Sequence, residues 1–229
     1  MRLPTYYYTE DFSQFYDYFK EQKCSHKLIK KGTILWKPGD LIREIYYVES
    51  GLLQTYVMHE DGHKKILSFH GKGTVFPGCH KSTFKIEQSL ITYAVTDAEV
   101  LSFDREDYYR MYQEHRELNA QTLEWYARSI NILIYESAHQ GYNDALTKIC
   151  NFKKIYLNHH HSMHDSSRIP LSQDTIGDIL GLNRVNVSKN LNKLKNEGIL
   201  ITHRSYIEIL DYNRLLDYCT SESVSDSLE

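Results

Sequence analysis

A short segment of the chain carries the side chains that proteins most often use to read the edges of DNA bases. These side chains belong to Arg184, Val185, Asn186, Ser188 and Lys189. Arginine can form bidentate hydrogen bonds with O6 and N7 of guanine, and asparagine can form bidentate hydrogen bonds with adenine. A valine methyl can make an apolar contact with the thymine methyl. The segment 184–195 contains four cations and no acid, although the whole chain has a formal net charge of -3. The residue types and the local charge therefore indicate contact with DNA.

Two short helical patterns are needed to present these side chains, and the sequence contains both. Ser172 is expected to cap the first helix, Asn183 the second, and Gly181 permits the turn between them. The buried positions are expected to be Ile176, Ile179, Leu180, Val187, Leu191 and Leu194. This pattern is typical of a helix-turn-helix whose second helix enters the major groove. Ser172 and Gln173 on the first helix and Lys193 on the second complete the predicted DNA contacts.

Two other interpretations of the same helices stay open at this point. A plain helical hairpin would show the same spacing, and a regulatory module could use these helices to bind a protein instead of DNA. The absence of acids from 184–195 favours DNA over both.

The composition bounds the class of protein. With 229 residues and 41% hydrophobic content, the chain can bury a core in one large domain or two smaller ones. No stretch approaches the roughly 18 consecutive apolar residues of a membrane helix, so we expect a cytoplasmic protein without membrane contact. The four cysteines are far apart and lack zinc-site spacing, which indicates reduced structural thiols.

The first hundred residues predict a short helix followed by a β-domain. Aromatic residues at 12, 15, 16 and 19 have helical spacing, and Thr9 is the expected cap of this helix within 6–23. From 26 to 103, short β-branched and aromatic runs alternate with glycine-containing turns, and Asp61-Gly62 is a hairpin signal. Such strands predict an antiparallel β-roll or jelly-roll, which can enclose a small ligand.

A long helix is predicted from Asp104, as its cap, to Gln140, because this stretch has no Pro or Gly. Its apolar residues lie on more than one face, so one face is expected to pack on the β-domain and another on a second subunit. The predicted dimer contacts are Leu118, Leu123, Trp125, Tyr126, Ile130 and Leu133. A single long core helix in a monomer is the alternative.

The remaining segments complete the predicted organisation. Gly141 to Asn143 is expected to be a hinge, and Asp144 to cap a helix through about Leu157. A strand is expected at 168–171 and a strand or hairpin at 203–210. The histidine-rich stretch that includes His159 to His161 is interpreted as a solvated loop without a metal. The predicted domains are 1–103 for sensing, 104–143 for dimerisation, 144–219 for DNA binding and 220–229 as an acidic tail.

Taken in this order, the segments from about 27 to 217 resemble the CRP/FNR superfamily of bacterial transcription regulators. The residues that carry the resemblance are 30–40, 45–69 and 171–200, together with the long helix. The resemblance implies an α+β fold with a cyclic-nucleotide-binding-type β-roll, a dimerisation helix and a C-terminal winged helix-turn-helix. It also implies an effector-switched homodimer, without catalysis, that binds a two-fold site on double-stranded DNA, with RNA polymerase as a partner.

Departures from the best-known members bear on the cofactor. Gln88-Ser89 stands where the cyclic-nucleotide sensors have Arg-Ser, so a cyclic phosphate would meet no arginine and cAMP is not expected. The iron-sulfur members place a cysteine cluster before the β-roll, whereas this chain has only Cys24 there, so that cluster is not expected either. Haem-dependent members use a Cys and a His in the region that corresponds to Cys79-His80. A haem-based gas sensor therefore remains an alternative.

The helix-turn-helix is most similar to the branch that contains the halophenol-responsive regulator of reductive dehalogenation. That branch also has a valine at the position of Val185 and a basic residue at that of Lys189. The resemblance implies a small, aromatic and weakly acidic effector between β-roll and long helix. The candidate effector contacts are Tyr93, Lys85, His80, Tyr126 and Ile130.

An enzyme of the cupin type, with a metal inside the roll, is the alternative from another class of protein. It would need several histidines and an acid that converge inside the roll, whereas His59, His63, His70 and His80 fall mainly at predicted turns. No metal site or catalytic residue is therefore predicted.

Overall fold

The computed structural model describes residues 5–78, 89–159 and 167–221. Tyr6–Ser129 form one compact unit, and the chain from Ile130 onward belongs to a second. Among the helices in these ranges, none has the length and apolar character needed to cross a bilayer.

The first unit contains two β-sheets, which confirms the predicted β-roll. The five-stranded sheet has the order β1 (Tyr7–Tyr8), β6 (Lys64–His70), β5 (Leu53–Met58), β8 (Leu90–Ala94) and β3 (Ile34–Trp36). The four-stranded sheet has the order β2 (Ser25–Ile29), β9 (Ala98–Asp104), β4 (Glu44–Ser50) and β7 (Val75–Phe76). The hairpin expected at Asp61-Gly62 joins β5 to β6, and Gly62 has the positive φ of 87° that such a turn requires.

Strand β4 shows how alternation in the sequence builds two cores. Tyr46 and Val48 pack with Trp36 in the core of the roll. Ile45 and Tyr47 point to the opposite face, where they pack with aromatic residues of the first helix and of β9. The four-stranded sheet is therefore covered on both faces.

The N-terminal helix differs from its prediction in length and cap. A 3-10 turn at Ser13–Phe15 leads into α1 (Tyr16–Glu21), and Phe12, not Thr9, occupies the cap position, without a side-chain hydrogen bond. The predicted aromatic stripe is confirmed, since Phe12, Phe15 and Phe19 are buried. Burial of these rings, not a local cap, explains where this helix forms.

The expected continuous helix from Asp104 to Gln140 is wrong. Asp104 does cap a helix, α2 (Arg105–Glu114), but the chain breaks at His115 before α3 (Arg116–Tyr142) begins. The backbone of His115 is extended, and its ring Nδ1 accepts a hydrogen bond from the Leu118 N–H at 3.3 Å. The same ring packs edge-on against Phe15 and Tyr18, so tertiary contacts hold the break in place.

The hinge predicted at Gly141 is also corrected, because α3 continues through Gly141 to Tyr142. The next helix, α4 (Ala145–His159), begins after Asp144, whose carboxylate accepts the Thr147 N–H at 2.8 Å, as predicted. The break between α3 and α4 therefore lies at residues 143–144.

The second unit contains the predicted helix-turn-helix and wing. Its elements are β10 (Arg168–Ile169), α5 (Gln173–Leu180), α6 (Arg184–Asn196), β11 (Leu200–Thr202), β12 (Ile207–Ile209) and α7 (Tyr212–Leu216). The three strands form an antiparallel sheet in the order β10, β12, β11. The strand or hairpin predicted at 203–210 corresponds to the turn of this hairpin and to β12, which begins at Ile207.

Two predictions fall at the edge of the described residues. The expected loose tail does not begin at Thr220, because Thr220 exchanges two hydrogen bonds, of 3.0 and 3.1 Å, with the buried Asn151 of α4. The histidine run lies outside the described residues, except for the backbone of His159 at the end of α4.

Candidate nucleic-acid interface

The helix-turn-helix is held by local interactions that the sequence predicts. Ser172 Oγ accepts the Thr175 N–H at 3.1 Å, and Asn183 Oδ1 accepts the Asn186 N–H at 2.8 Å. Gly181 adopts the left-handed conformation between the two helices, with φ of 64°. Because both caps and the turn are satisfied within the motif, the angle between α5 and α6 is fixed by the motif itself.

Close packing at Gly177 adds a restraint that the sequence analysis missed. A β-carbon at Gly177 would lie 2.7 Å from the Leu182 carbonyl oxygen, so any side chain there would push the turn away from α5. The Leu182 N–H donates to the Gly177 carbonyl at 3.0 Å. A small residue in the middle of the first helix, four residues before the turn glycine, is the signal that could have identified it.

One face of α6 is buried and the other is open. The predicted stripe of Val187, Leu191 and Leu194 is confirmed, since all three are fully buried. Arg184, Asn186 and Lys189 are exposed, as is Val185, at 75% of its surface, and Ser188 is half-buried, as are Ser172 and Gln173 on α5. An exposed valine beside an arginine and an asparagine is chemically suited to the thymine methyl and polar base edges.

An acid on α5 stands next to this surface. Asp174 Oδ1 lies 3.4 Å from Arg184 Nε, and both side chains are largely exposed. The sequence analysis did not single out Asp174, because the contact joins different helices. The positive surface of α6 is therefore bordered by one carboxylate at the position of its first cation.

Lys193, another of the predicted DNA contacts, lies against an aromatic ring of the same chain. Its Nζ lies 5.1 Å from the centroid of the Tyr218 ring, and the Tyr218 hydroxyl donates to Glu197 Oε2 at 2.6 Å. The hydrogen bond to Glu197 raises the pKa of Tyr218. Lys193 is thus part of a cation-aromatic-acid chain on the side of α6 that meets the C-terminal segment.

The wing presents a further cation that the sequence analysis missed. The His203 N–H donates to the Tyr206 carbonyl at 2.9 Å, which closes a tight turn with Arg204 and Ser205 exposed at its tip. His203 and Tyr206 stack at 4.1 Å, and the Arg168 guanidinium lies 5.2 Å from the Tyr206 centroid. These ring contacts hold the turn, so Arg204 is presented from a rigid hairpin.

The predicted dimer contacts on α3 separate into two faces. Leu118 and Trp125 are buried in the core of their own unit, beside Phe103 and Tyr108, and are therefore not available to a second subunit. That part of the prediction is wrong, because this heptad row is the one that packs on the β-domain. Exposed apolar side chains occupy another face, and they are Leu123, Ile130, Leu133 and Ile134. Their spacing of seven, three and one residues gives a continuous apolar stripe.

Tyr126 lies between these two faces. Its half-buried ring packs edge-on against Trp125 at 5.2 Å and also contacts Gly78. A β-carbon at Gly78 would lie 2.9 Å from Tyr126 Cε1, so only glycine fits there without moving the ring. Tyr126 therefore connects α3 to Gly78, two residues after the end of β7.

The predicted effector contacts are not brought together by the described residues. Lys85 and His80 lie outside them, and Ile130 belongs to the exposed stripe of α3. Tyr93 faces away from the interior of the roll, because its neighbour Ala94 belongs to the roll core and successive strand residues alternate. The Tyr93 hydroxyl instead donates to Gln54 at 3.3 Å, on the outer face of the sheet. Tyr93 therefore lies outside the roll interior, and its contact with an effector between the β-roll and the long helix stays a prediction.

Polar residues do line the roll interior. Thr55 Oγ1 and Ser68 Oγ lie 3.1 and 3.0 Å from His70 Nε2, and Thr55 is also bonded to Thr92 at 2.9 Å. Burial lowers the pKa of His70 to about 3, so the imidazole is neutral at physiological pH. This cluster offers hydroxyl and imidazole groups, but no positive charge.

A cavity of about 860 Å³ has a different set of lining residues. Trp36, Tyr46 and Glu44 contribute to its wall, together with Cys24 and Arg43. The three predicted effector contacts that the structure describes lie outside its wall. Within the described ranges, no group of three or more His, Cys, Asp or Glu side chains is arranged to hold a metal ion.

Comparison with known proteins gives the same two-part division. A cyclic nucleotide-binding domain model matches residues 26–115, and a Crp-like helix-turn-helix domain model matches residues 155–218. The nitrogen fixation regulation protein FixK of Rhizobium meliloti is 28% identical over 191 residues, which cover 83% of this chain and 85% of FixK.

Solved structures share the fold at lower identity. FixK2 from Bradyrhizobium japonicum has a TM-score of 0.71 at 21% identity, covering 86% of this chain and 98% of its own. CprK complexed with OCPA has a TM-score of 0.70 at 17% identity, with 92% of this chain and 98% of its own covered. CprK is one of several such neighbours, so the assignment to the halophenol-responsive branch stays a prediction. The two matched domain models and their order show a DNA-binding transcription regulator of the CRP/FNR type, and the curated relatives are transcription regulators rather than enzymes.

Proposed function

We propose that this regulator acts as a homodimer on a two-fold DNA site and that a small molecule held by the β-roll controls its affinity for that site. The observation that carries the proposal is the open face of α6, where Arg184 and the 75%-exposed Val185 have base-reading chemistry. In a dimer, two such helices reach successive major grooves when they lie about 34 Å apart.

The apolar stripe on α3 supports the homodimer. Four exposed apolar side chains from Leu123 to Ile134 would contact water in a monomer, and an identical stripe on a second copy would cover them. Ser137 continues the row one heptad beyond Ile130. The arrangement is self-complementary, which a two-fold dimer requires.

The contact between Gly78 and Tyr126 supports the control by a small molecule. An effector whose binding shifts the backbone at Gly78 would act on the residue that touches Tyr126 of α3. Effector binding changes DNA affinity only if the effector binds one arrangement of α3 better than another.

The chemistry of the roll interior favours a neutral or weakly acidic effector with a hydroxyl group. Thr55, Ser68, Thr92 and a neutral His70 can exchange hydrogen bonds with such a group. A fully ionised phosphate would lose its hydration there without gaining a cation from these four side chains. A phenolic compound is therefore the class to test first, with RNA polymerase as the partner of the DNA-bound dimer.

Binding to genomic DNA fragments, followed by footprinting, tests the proposal. We expect protection with two-fold symmetry, complete loss of specific binding when residues 168–229 are removed, and a dimer in light scattering. A thermal-shift screen with phenolic acids, cyclic nucleotides and haem tests the effector class, since a ligand of the folded state raises the melting temperature. Specific DNA binding by the protein that lacks residues 168–229 would refute the proposed DNA-binding surface. An operator affinity that none of the tested effectors changes would refute the proposed control by a small molecule.

A further inference from the structure

Arg184, the first cation of the α6 surface, stands beside a carboxylate from the neighbouring helix. Arg184 Nε and Asp174 Oδ1 are 3.4 Å apart, with 78% and 62% of their side chains exposed. An ion pair this exposed contributes little to the stability of a fold. The position of Asp174 at the DNA-facing surface therefore calls for an explanation other than stability.

We propose that Asp174 determines DNA specificity by positioning the Arg184 guanidinium for a base and by weakening its attraction to phosphates. This inference rests on the proposed function, in which α6 reads an operator. Since the carboxylate lies against Nε, both terminal nitrogens of Arg184 remain available for O6 and N7 of a guanine. Asp174 is a positioning residue, because it acts through Arg184 and needs no base contact.

The second effect of Asp174 is electrostatic. Duplexes of any sequence attract a protein through their phosphates, and this attraction scales with the number of cations that meet them. A carboxylate 3.4 Å from Arg184 lowers the positive potential at that point, so a non-operator duplex gains less from Arg184. An operator still gains the base contact. Asp174 thus lowers non-specific affinity more than operator affinity, which raises the ratio between them.

A purely structural role for Asp174 predicts a different outcome. Asp174 lies in the first turn of α5, where a negative charge favours the helix dipole. That effect acts on the helix and does not depend on the side chain at residue 184. A double-mutant cycle between Asp174 and Arg184 therefore separates the two roles.

The experiment uses the full-length protein and two duplexes, one selected by the wild type from a randomised library and one scrambled duplex of the same composition. The single variants are Asp174→Asn, Asp174→Glu and Arg184→Ala, and a double variant combines Asp174→Asn with Arg184→Ala. Asp217→Asn is the matched control, because it removes one exposed charge from the same unit without touching Arg184. Thermal unfolding of each variant verifies that it is folded.

We expect Asp174→Asn to bind the scrambled duplex roughly threefold more tightly, with a slope of log K against log salt steeper by about one. The preference of Asp174→Asn for the selected duplex over the scrambled duplex should be lower than that of the wild type. Asp174→Glu and Asp217→Asn should both keep the wild-type preference. In the Arg184→Ala background, Asp174→Asn should no longer alter the preference.

Two results overturn the inference while leaving the proposed function intact. In the first, Asp174→Asn leaves the preference for the selected duplex over the scrambled duplex unchanged. In the second, Asp174→Asn changes this preference by the same factor in the wild-type and Arg184→Ala backgrounds. Failure of the proposed function would give a different result, because the wild type would then enrich no sequence from the library. That result would also refute the inference about Asp174.

Discussion

The backbone of Gly78 lies directly against the phenol ring of Tyr126, so that a β-carbon at Gly78 would be only 2.9 Å from Cε1 of that ring. This contact connects Gly78, two residues after β7, to α3. Because Tyr126 is also packed against Trp125, the ring cannot yield without disturbing the core of the Tyr6–Ser129 unit.

Gly78→Ala is expected to lower the free energy of unfolding by about 1–3 kcal/mol, because the new methyl group overpacks the Tyr126 ring. It should also reduce the change in DNA affinity that an effector causes, because the displaced ring alters the contact between Gly78 and α3. Denaturant unfolding measures the first effect, and DNA titration with and without effector measures the second.

Gly141→Ala is the matched control for this variant. Gly141 lies inside α3, and nothing lies within 4 Å of a β-carbon placed there. Alanine should therefore stabilise the helix by about 0.5–1 kcal/mol and leave the effector response unchanged. Loss of the response in Gly141→Ala would instead mean that Gly141 is a hinge.

Substitutions on the two faces of α3 should have opposite consequences. Leu133→Asp places a charge in the exposed stripe, so we expect a shift from dimer to monomer with little change in the fold of the sensing unit. Leu118→Ala removes a fully buried side chain and should cost about 2–5 kcal/mol of stability. Light scattering and thermal unfolding of both variants test this division. A monomeric but stable Leu118→Ala protein would reverse the assignment of the faces.

Lys153 should make the stability of the protein depend on pH. Its side chain is fully buried, its Nζ has no hydrogen-bond partner in the described parts of the chain, and burial lowers its pKa to about 7. Since the unfolded chain holds this proton up to a pKa near 10.5, it binds more protons than the folded state between pH 7 and 10.5. The contribution of Lys153 to stability therefore rises with pH across that window.

Lys153→Met should remove this part of the pH dependence and raise the free energy of unfolding at pH 7 by roughly 1–3 kcal/mol. Urea unfolding of both proteins at several pH values between 6.5 and 9 is the measurement. The same urea unfolding is measured for Lys154→Met, a substitution of the next residue in α4, as a comparison with Lys153→Met. Parallel pH profiles for wild type and Lys153→Met would show that Lys153 is charged and paired in the folded protein.

Local signals were enough to predict the helix-turn-helix. The caps at Ser172 and Asn183 and the turn at Gly181 depend on residues within four positions of one another, and the buried stripe of α6 follows the helical spacing of four and three residues. Such interactions form wherever the sequence occurs, so they can be inferred from the residues alone.

Interactions distant in sequence explain what could not be predicted. No Pro or Gly marks the break at His115, which is held by its own ring and by contacts with Phe15 and Tyr18, about a hundred residues earlier. The orientation of Tyr93 depends on the register of β8 with β5, which only the folded sheet defines. The sequence predicted that apolar residues of α3 lie on more than one face, but not which face packs within the subunit. The burial of Leu118 and Trp125 in the structure distinguishes that face from the exposed stripe.

The most direct test of the account is the affinity of wild type and Arg184→Ala for a duplex that the wild type selects from a randomised library. We predict that the substitution weakens binding to this duplex by about 1–3 kcal/mol and relaxes preference at one base pair in each half-site. Lys193→Ala should have a smaller effect, because Lys193 lies over Tyr218. Equal affinity and unchanged base preference for wild type and Arg184→Ala would contradict the claim that α6 reads the DNA sequence.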